Sequence, residues 1–292
     1  MVKDINTKIG IIGGSGLYKL EGLKKIKEIQ IDTPFGKPSD SIITGQLNET
    51  GMAFLPRHGR DHDIIPSQVN NRANIWAMKK IGVERIISVS AVGSMMENIH
   101  PGDVVIVDQF FDRTKNRPCT FFSNGLVAHI AFSDPVCPVL FSELNTCCKK
   151  IGIKVKKGGT YICMEGPQFS TFAESRIYRK WGVDVIGMTA LPEAKLAREA
   201  EMCYATIALV TDYDCWHPDH DSVTVELVIK QLTENSDKAK KILSVFVERF
   251  SKILLPSCSC SRSLEKAIMT SADKIDKKLK DDLDIIVGKH IK

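Results

Sequence analysis

Two periods of apolar spacing run along the chain. Short apolar or alternating runs bounded by turn residues predict strands at 8–12, 28–31, 41–47, 51–55, 83–90, 102–108, 159–164, 184–188 and 204–210. Apolar residues at three- and four-residue steps predict helices at 69–80, 134–151, 173–181 and 189–202, and one or two amphipathic helices over 223–250. Pro192 just inside and Glu193 in the first turn mark the start of the 189–202 helix. Alternating strands and helices predict an α/β fold around a mostly parallel or mixed sheet. The early extended segments can close part of that sheet into a barrel-like core. No Gly-, Ser- or Pro-rich linker precedes residue 255, so residues 1–257 read as one domain. Beyond it, Leu264, Ile268, Ala272, Ile275, Leu279, Leu283 and Ile286 predict one amphipathic helix in a lysine-rich extension over 258–292. That helix either packs on a neighbouring subunit or hangs free.

Composition narrows the class. The chain has 292 residues, 43% hydrophobic and 26% charged, in the range of a globular protein. A net charge of +5, with basic and acidic residues interleaved, argues against a nucleic-acid-binding face. The chain start lacks the apolar core of a signal peptide, and no run approaches the length of a membrane span, so the expected location is the cytoplasm. Nine cysteines, odd in number and irregular in spacing, do not make a secreted disulfide scaffold. No pair has zinc-ligand spacing with a matching second pair, so no metal site is expected. Cys258 and Cys260 are expected to be free thiols in a reducing compartment.

The chemistry gathers at strand ends. Gly13-Gly14-Ser15-Gly16 follows the first strand, where backbone N–H groups can approach an anion; a plain tight turn is the other reading. It is neither a dinucleotide fingerprint nor a Walker loop. The strand ending at Leu55 runs into Arg57 and His58, a planar fork beside a switchable donor, or else a solvated basic loop. The strand ending at Ser90 leads into Ala91-Val92-Gly93-Ser94, read as a glycine turn. Thr189 stands between a strand and a helix. The polar stretch 112–133, which carries His129, is long enough for a lid or an interface. The last strand runs into Asp212 and Asp214, which a period of two would place on one face. They are either a site or a strand-end cap. An anion cradle beside two carboxylates suits phosphate plus a nitrogenous base. Phosphate then attacks a glycosidic carbon while a carboxyl group assists the leaving base.

Taken together, Gly13–Leu17, Arg57–Arg60, Ser90–Ser94, Glu165–Ser170, Gly187–Glu193 and Thr211–Trp216 resemble the trimeric-class purine nucleoside phosphorylases. Within that class they most resemble the S-methyl-5'-thioadenosine phosphorylase family. The resemblance implies a single-domain α/β fold with a mixed, partly barrel-like sheet, and phosphorolysis of an N-glycosidic bond with no metal or other cofactor. It implies a phosphate site of Ser15, Arg57, His58, Ser90, Ala91 and Thr189. It puts Met188 under the ribose and Phe169 in the substrate pocket. Ser170, Asp212 and Asp214 read the base, with Asp212 as the catalytic group. His129, Val225 and Val228 line the methylthio end, His129 lent by a neighbouring subunit of a trimer or dimer of trimers. Two acceptors favour a 6-amino purine; a preference for 6-oxopurine nucleosides or S-methyl-5'-thioinosine is the alternative. Gln168 and Phe172 depart from the arginines usual in the family. The Cys258-Ser259-Cys260 motif resembles one that can form a disulfide in some archaeal-type relatives.

Overall fold

Strand β5, Arg85–Ser94, is the trunk of the molecule: other strands pair along both of its edges and past its neighbours' ends. The computed structural model describes residues 7–14, 16–218, 224–253 and 255–291. On one edge β5 pairs in parallel with β1, Thr7–Gly13. Beyond β1 lie β4 (Thr50–Pro56), β3 (Ile42–Leu47) and β2 (Lys24–Ile29), an antiparallel meander joined to β1 through the parallel β1–β4 pair. On the other edge β5 pairs in parallel with β11, Cys203–Asp212, followed by β6 (Val104–Ile106) and β8 (Val155–Lys157). The far end of β5 pairs antiparallel with β10, Val185–Gly187, which continues into β9 (Thr160–Met164) and β7 (Gln109–Arg113). Among the described residues the sheet has eleven strands, both parallel and antiparallel.

The two branches meet covalently. β6 runs into β7 through Val107 and Asp108, and β8 into β9 through Gly158 and Gly159. The ring β5–β11–β6/β7–β9–β10 therefore wraps round on itself, which is the expected partly barrel-like sheet. Its interior holds aromatic rings: Phe110 lies 5.9 Å from Tyr161 and 6.3 Å from Tyr204, centroid to centroid. A side chain could not replace Gly187, because a Cβ there would stand 2.0 Å from the Tyr161 hydroxyl.

Helices cover the sheet. They are α1 (Asn71–Lys80), α2 (Pro138–Lys150), α3 (Phe172–Lys180), α4 (Ala190–Glu199), α5 (Val225–Lys252) and α6 (Lys277–Val287). The region predicted as one or two helices is one, 28 residues long, burying Ala239, Ile242, Leu243, Phe246 and Val247 against β11 and α2.

Two expectations change. The Ser90–Ser94 stretch is strand, not a glycine turn: Gly93 and Ser94 pair with Ile186 and Val185. The helix expected over 264–286 is present only as α6. Before it, Ala128 bridges Ile268, and Leu264, Ala267 and Ile275 plug the core beside Leu283, Ile286 and Val287. The extension thus packs on its own chain, where Trp76 Nε1 donates to the carbonyl of Asp282 at 3.0 Å. The 112–133 stretch, expected to be a lid or an interface segment, is held to its own chain at its middle. Phe121, Phe122 and Leu126 are buried, and Thr120 Oγ1 and the Phe121 N–H both donate to Glu199 at 2.7 Å. No helix among the described residues is long and apolar enough to cross a membrane.

Candidate active site

β1, β4, β5, β10 and β11 bring most of the candidate residues to one rim. Pairing sets Gly13 beside Pro56, Ala208 beside Ser90, and Asp212 beside Gly93. The Arg57 N–H donates to the Gly13 carbonyl at 2.9 Å, fixing the chain as it leaves β4. The Arg57 side chain is buried. Its guanidinium forks onto Glu193, with Nε to Oε2 at 2.9 Å and Nη2 to Oε1 at 3.1 Å. It also donates to Ser88 Oγ (2.7 Å) and to the carbonyls of Val89 and Ile12 (3.1 Å each). Glu193 is itself buried and accepts the Tyr204 hydroxyl at 2.8 Å. Sequence reasoning used Glu193 only as a helix-start signal. Its distance along the chain from Arg57 concealed that it neutralises the site's principal cation.

His58 donates through Nδ1 to the carbonyl of Ile64 at 2.8 Å. Burial, with the adjacent Arg57 charge, drives its pKa down to about 4. The ring is therefore neutral near pH 7, with an unprotonated Nε2 that accepts a hydrogen bond. The sequence had suggested a donor there. Ser90 Oγ and Thr189 Oγ1 lie 2.9 Å apart, uniting two hydroxyls from residues far apart in sequence. Tyr161 Oη is 3.4 Å from Thr189 Oγ1. The helix start expected at Thr189 is interrupted, because Leu191 has strand-like angles (φ −123°, ψ 138°). Thr189 contributes its hydroxyl and backbone rather than a regular helix N-terminus.

The carboxylates sit on the β11 side of the rim. They do not continue the two-residue period of a strand: β11 shifts register between Val210 and Asp212, and Asp214 has a left-handed φ of 54°. A local hydrogen bond couples them instead, with the Asp214 N–H donating to Asp212 Oδ1 at 2.7 Å. Thr211 Oγ1 donates to Asp212 Oδ2 at 2.7 Å. Burial raises both carboxyl groups above the ordinary aspartate pKa, and for Asp214 the Asp212 charge adds to it. Gly93 makes room for this arrangement, since a Cβ there would lie 2.7 Å from Asp212 Oδ1. Trp216 is a buttress: its Nε1 donates to Ser94 O at 2.7 Å and Arg179 stacks 3.5 Å over its ring.

Ser170 joins this side, its carbonyl accepting from Cys215 Sγ at 3.4 Å and its hydroxyl lying near Asp214. Met188 lies under Gly166, where a Cβ would come within 2.4 Å of its sulfur. Buried Arg117 ties this region together, donating to Met188 O at 2.8 Å, Leu191 O at 3.0 Å and Glu165 Oε2 at 3.2 Å. In the sequence Arg117 is only one of several basic residues in a polar stretch.

The remaining candidates differ in exposure. Phe169, His129 and Val225 are exposed, Val228 is half-buried, and Ala91 is half-buried on β5. The His129 N–H donates to Ala267 O at 2.9 Å, on the extension rather than at the rim. Ser15 lies outside the described residues. Gln168 and Phe172 are both exposed. A surface cleft of about 450 Å³ between the β2–β4 meander and α5 shares no residue with the rim.

A profile of the Phosphorylase superfamily matches residues 8–248. The chain is 55% identical to an S-methyl-5'-thioadenosine phosphorylase of Geobacter sulfurreducens, over 97% of this chain and 99% of that protein. It is 50% identical to one of Thermosynechococcus vestitus, over 98% and 100%. Among solved structures, a methylthioadenosine phosphorylase from an antarctic soil metagenomic library superposes with a TM-score of 0.89 at 44% identity, covering 96% of this chain and 98% of that one. The Schistosoma mansoni methylthioadenosine phosphorylase in complex with adenine gives 0.81 at 32% identity, over 97% and 98%.

Proposed function

The chain belongs to the phosphorylase superfamily, and from that premise we propose that it cleaves S-methyl-5'-thioadenosine with inorganic phosphate. The products are adenine and 5-methylthioribose 1-phosphate. It is a pentosyltransferase of the purine nucleoside phosphorylase type. The observation that carries the reading is one rim with two chemistries. The Ser90–Thr189 hydroxyl pair begins one residue beyond Ser88 and Val89, which hold Arg57, and half-buried Asp212 with buried Asp214 lies one strand away.

Phosphate is placed against Ser15, Arg57, His58, the Ser90 hydroxyl, the Ala91 N–H and Thr189. Glu193 holds Arg57 charged and rigid, and neutral His58 accepts the P–OH of monohydrogen phosphate at Nε2. Held there, a phosphate oxygen attacks C1' as the bond to the base breaks. Its negative charge stabilises the cationic character developing on the sugar. Met188 supports the ribose and Phe169 closes over the pocket. Asp212, whose pKa burial raises above that of an ordinary aspartate, gives a proton or a hydrogen bond to the purine ring nitrogen as charge builds on the leaving base. Ser170 and Asp214 read the 6-amino side. The reaction needs no metal or other cofactor at the rim.

A trimer or dimer of trimers completes the site. Exposed Phe111, Phe169, Phe172 and Trp181 support an interface on this side, and His129 of a neighbouring copy, with Val225 and Val228, then covers the methylthio group. A monomeric mass by light scattering at micromolar concentration contradicts this part. The cytoplasm is the proposed location, to be checked by fractionation.

The test of activity is release of free base from S-methyl-5'-thioadenosine, adenosine and inosine, with and without phosphate. Phosphate-dependent adenine release should dominate. A protonated carboxyl group can also donate to a 6-oxo group, so faster release of hypoxanthine would assign the protein to 6-oxopurine nucleosides. No phosphate-dependent cleavage of any of them rejects the reading.

A further inference from the structure

Nine cysteines are spread along the chain, yet four of them converge on one point. Cys137 is the N-cap of α2, Cys203 opens β11, and Cys258 and Cys260 lie in the segment after α5. Their four sulfur atoms all lie within 4.8 Å of one another, with Cys203 and Cys258 at 3.3 Å. We propose that Cys137, Cys203, Cys258 and Cys260 form a tetrahedral thiolate site that binds one zinc ion and staples the C-terminal extension to the sheet.

The geometry fits the ion. Zinc–sulfur bonds of about 2.3 Å in a tetrahedron separate the sulfurs by about 3.8 Å, so the widest pair closes by at most about 1 Å and the Cys203–Cys258 pair opens by about 0.5 Å. Four soft sulfur donors without carboxylate or water suit zinc over magnesium or calcium. The surroundings fit as well. Cys137, Cys203 and Cys260 are buried among Leu140, Leu144 and Ala205, and Cys258 is half-buried. The first turn of α2 directs the N–H groups of Val139 and Leu140 at the Cys137 sulfur, the kind of second-shell donor that holds a thiolate in place.

Zinc with four thiolates carries two negative charges, and a buried cation stands ready to offset them. Arg198 is buried, acts on Cys260 through its charge, and makes hydrogen bonds to the carbonyls of Ala131, Asp134 and Pro135. It belongs to no ion pair among the described residues. Binding is not a redox step: zinc enters as the dication and the four thiols release their protons to solvent. The spacing rule missed the site because its ligands come from three distant stretches, and only Cys258 and Cys260 are close in sequence.

The staple has a structural task. Cys203 begins the strand that ends in Asp212, and the Cys137 N–H donates to Tyr204 O at 2.8 Å, so α2 and β11 already meet there. Zinc adds the segment leading to α6. The site shares no residue with the rim, so it stands or falls separately from the proposed reaction.

The test measures metal. Protein purified under reducing conditions without added metal is analysed by elemental mass spectrometry, and its stripped form is titrated with cobalt(II). The expected results are about one zinc per chain, and with cobalt the thiolate charge-transfer and tetrahedral d–d bands. Cys137→Ser and Cys258→Ser, on different elements, should each abolish high-affinity binding, and exposed Cys119→Ser should keep it. Intact-protein mass spectrometry on the unmodified chain supplies the counter-case without any variant. Two disulfides, or four freely alkylated thiols that leave the cobalt spectrum unchanged, overturn the proposal. Binding that survives both Cys137→Ser and Cys258→Ser does so too.

Discussion

The replacement Asp212→Asn separates chemistry from architecture. Each carboxylate oxygen of Asp212 accepts one short hydrogen bond, Oδ1 from the Asp214 N–H and Oδ2 from Thr211 Oγ1, both at 2.7 Å. An asparagine can keep its carbonyl on the Asp214 N–H. Its amide then faces Thr211 Oγ1, which is also placed to donate to Val92 O at 3.2 Å and so can turn its proton that way and accept from the amide. Neither hydrogen-bonding partner is stranded. The change in unfolding free energy should stay within about 1 kcal/mol, the size of one hydrogen-bond exchange. The chemistry is not spared: under the proposed role Asp212 is the acid that assists the leaving base, and without it turnover of S-methyl-5'-thioadenosine should fall on the order of 10²–10⁴-fold, or about 2.7–5.4 kcal/mol of barrier. Inosine, whose 6-oxo group accepts rather than donates, should lose less or gain. The assay follows free adenine and free hypoxanthine at saturating phosphate for both proteins, with thermal unfolding run in parallel. Equal losses on the two nucleosides at unchanged stability refute the assignment of Asp212 to the base. A collapse in stability refutes the hydrogen-bond reasoning.

Other consequences can be measured directly. Glu193→Gln leaves the buried Arg57 charge without its counter-ion and should cost about 3–5 kcal/mol in denaturant unfolding; a change below about 1 kcal/mol contradicts the pair's role. Gly93→Ala places a Cβ 2.7 Å from Asp212 Oδ1 and should lower kcat on the order of 10²-fold by displacing that carboxyl group, with a smaller effect on KM. Unchanged kcat would show that the group does not need its place. Burial pushes the Glu199 carboxyl up to about 7, above its unfolded value of about 4.3. Between those values the folded state holds more protons than the unfolded state, so stability falls as pH rises through the window and levels off above it. Glu199→Gln should flatten that part of the Tm–pH curve, and an unchanged slope would assign it to other groups.

Much of the fold was legible because it is written in local periods. β1, β3, β4, β9 and β10 and helices α1 and α3 stand within two residues of their predicted ends, since each has a full turn or a full alternation of apolar positions. The misreadings share a cause. Ser90–Ser94 looks like a turn because small residues and a glycine are turn-formers, but β10 pairs with it from residues far along the chain. The extension looks like one helix because its apolar steps are regular. Its first half instead plugs the core beside Phe121 and bridges to Ala128, and tertiary contact overrides the local period.

The order of elements, the residue types able to hold phosphate and the presence of two carboxylates were determined by the sequence alone. Each is a property of neighbours in the chain: side-chain chemistry, spacing and turn propensity. Partnership was decided by the tertiary structure. Glu193 is the counter-charge of Arg57, Ser90 meets Thr189, Gly93 leaves room for Asp212, and four cysteines from three distant stretches meet at the start of β11. The protonation states belong there too. Neutral His58 and the raised aspartates follow from desolvation, which depends on what the folded chain packs around a group rather than on what precedes or follows it.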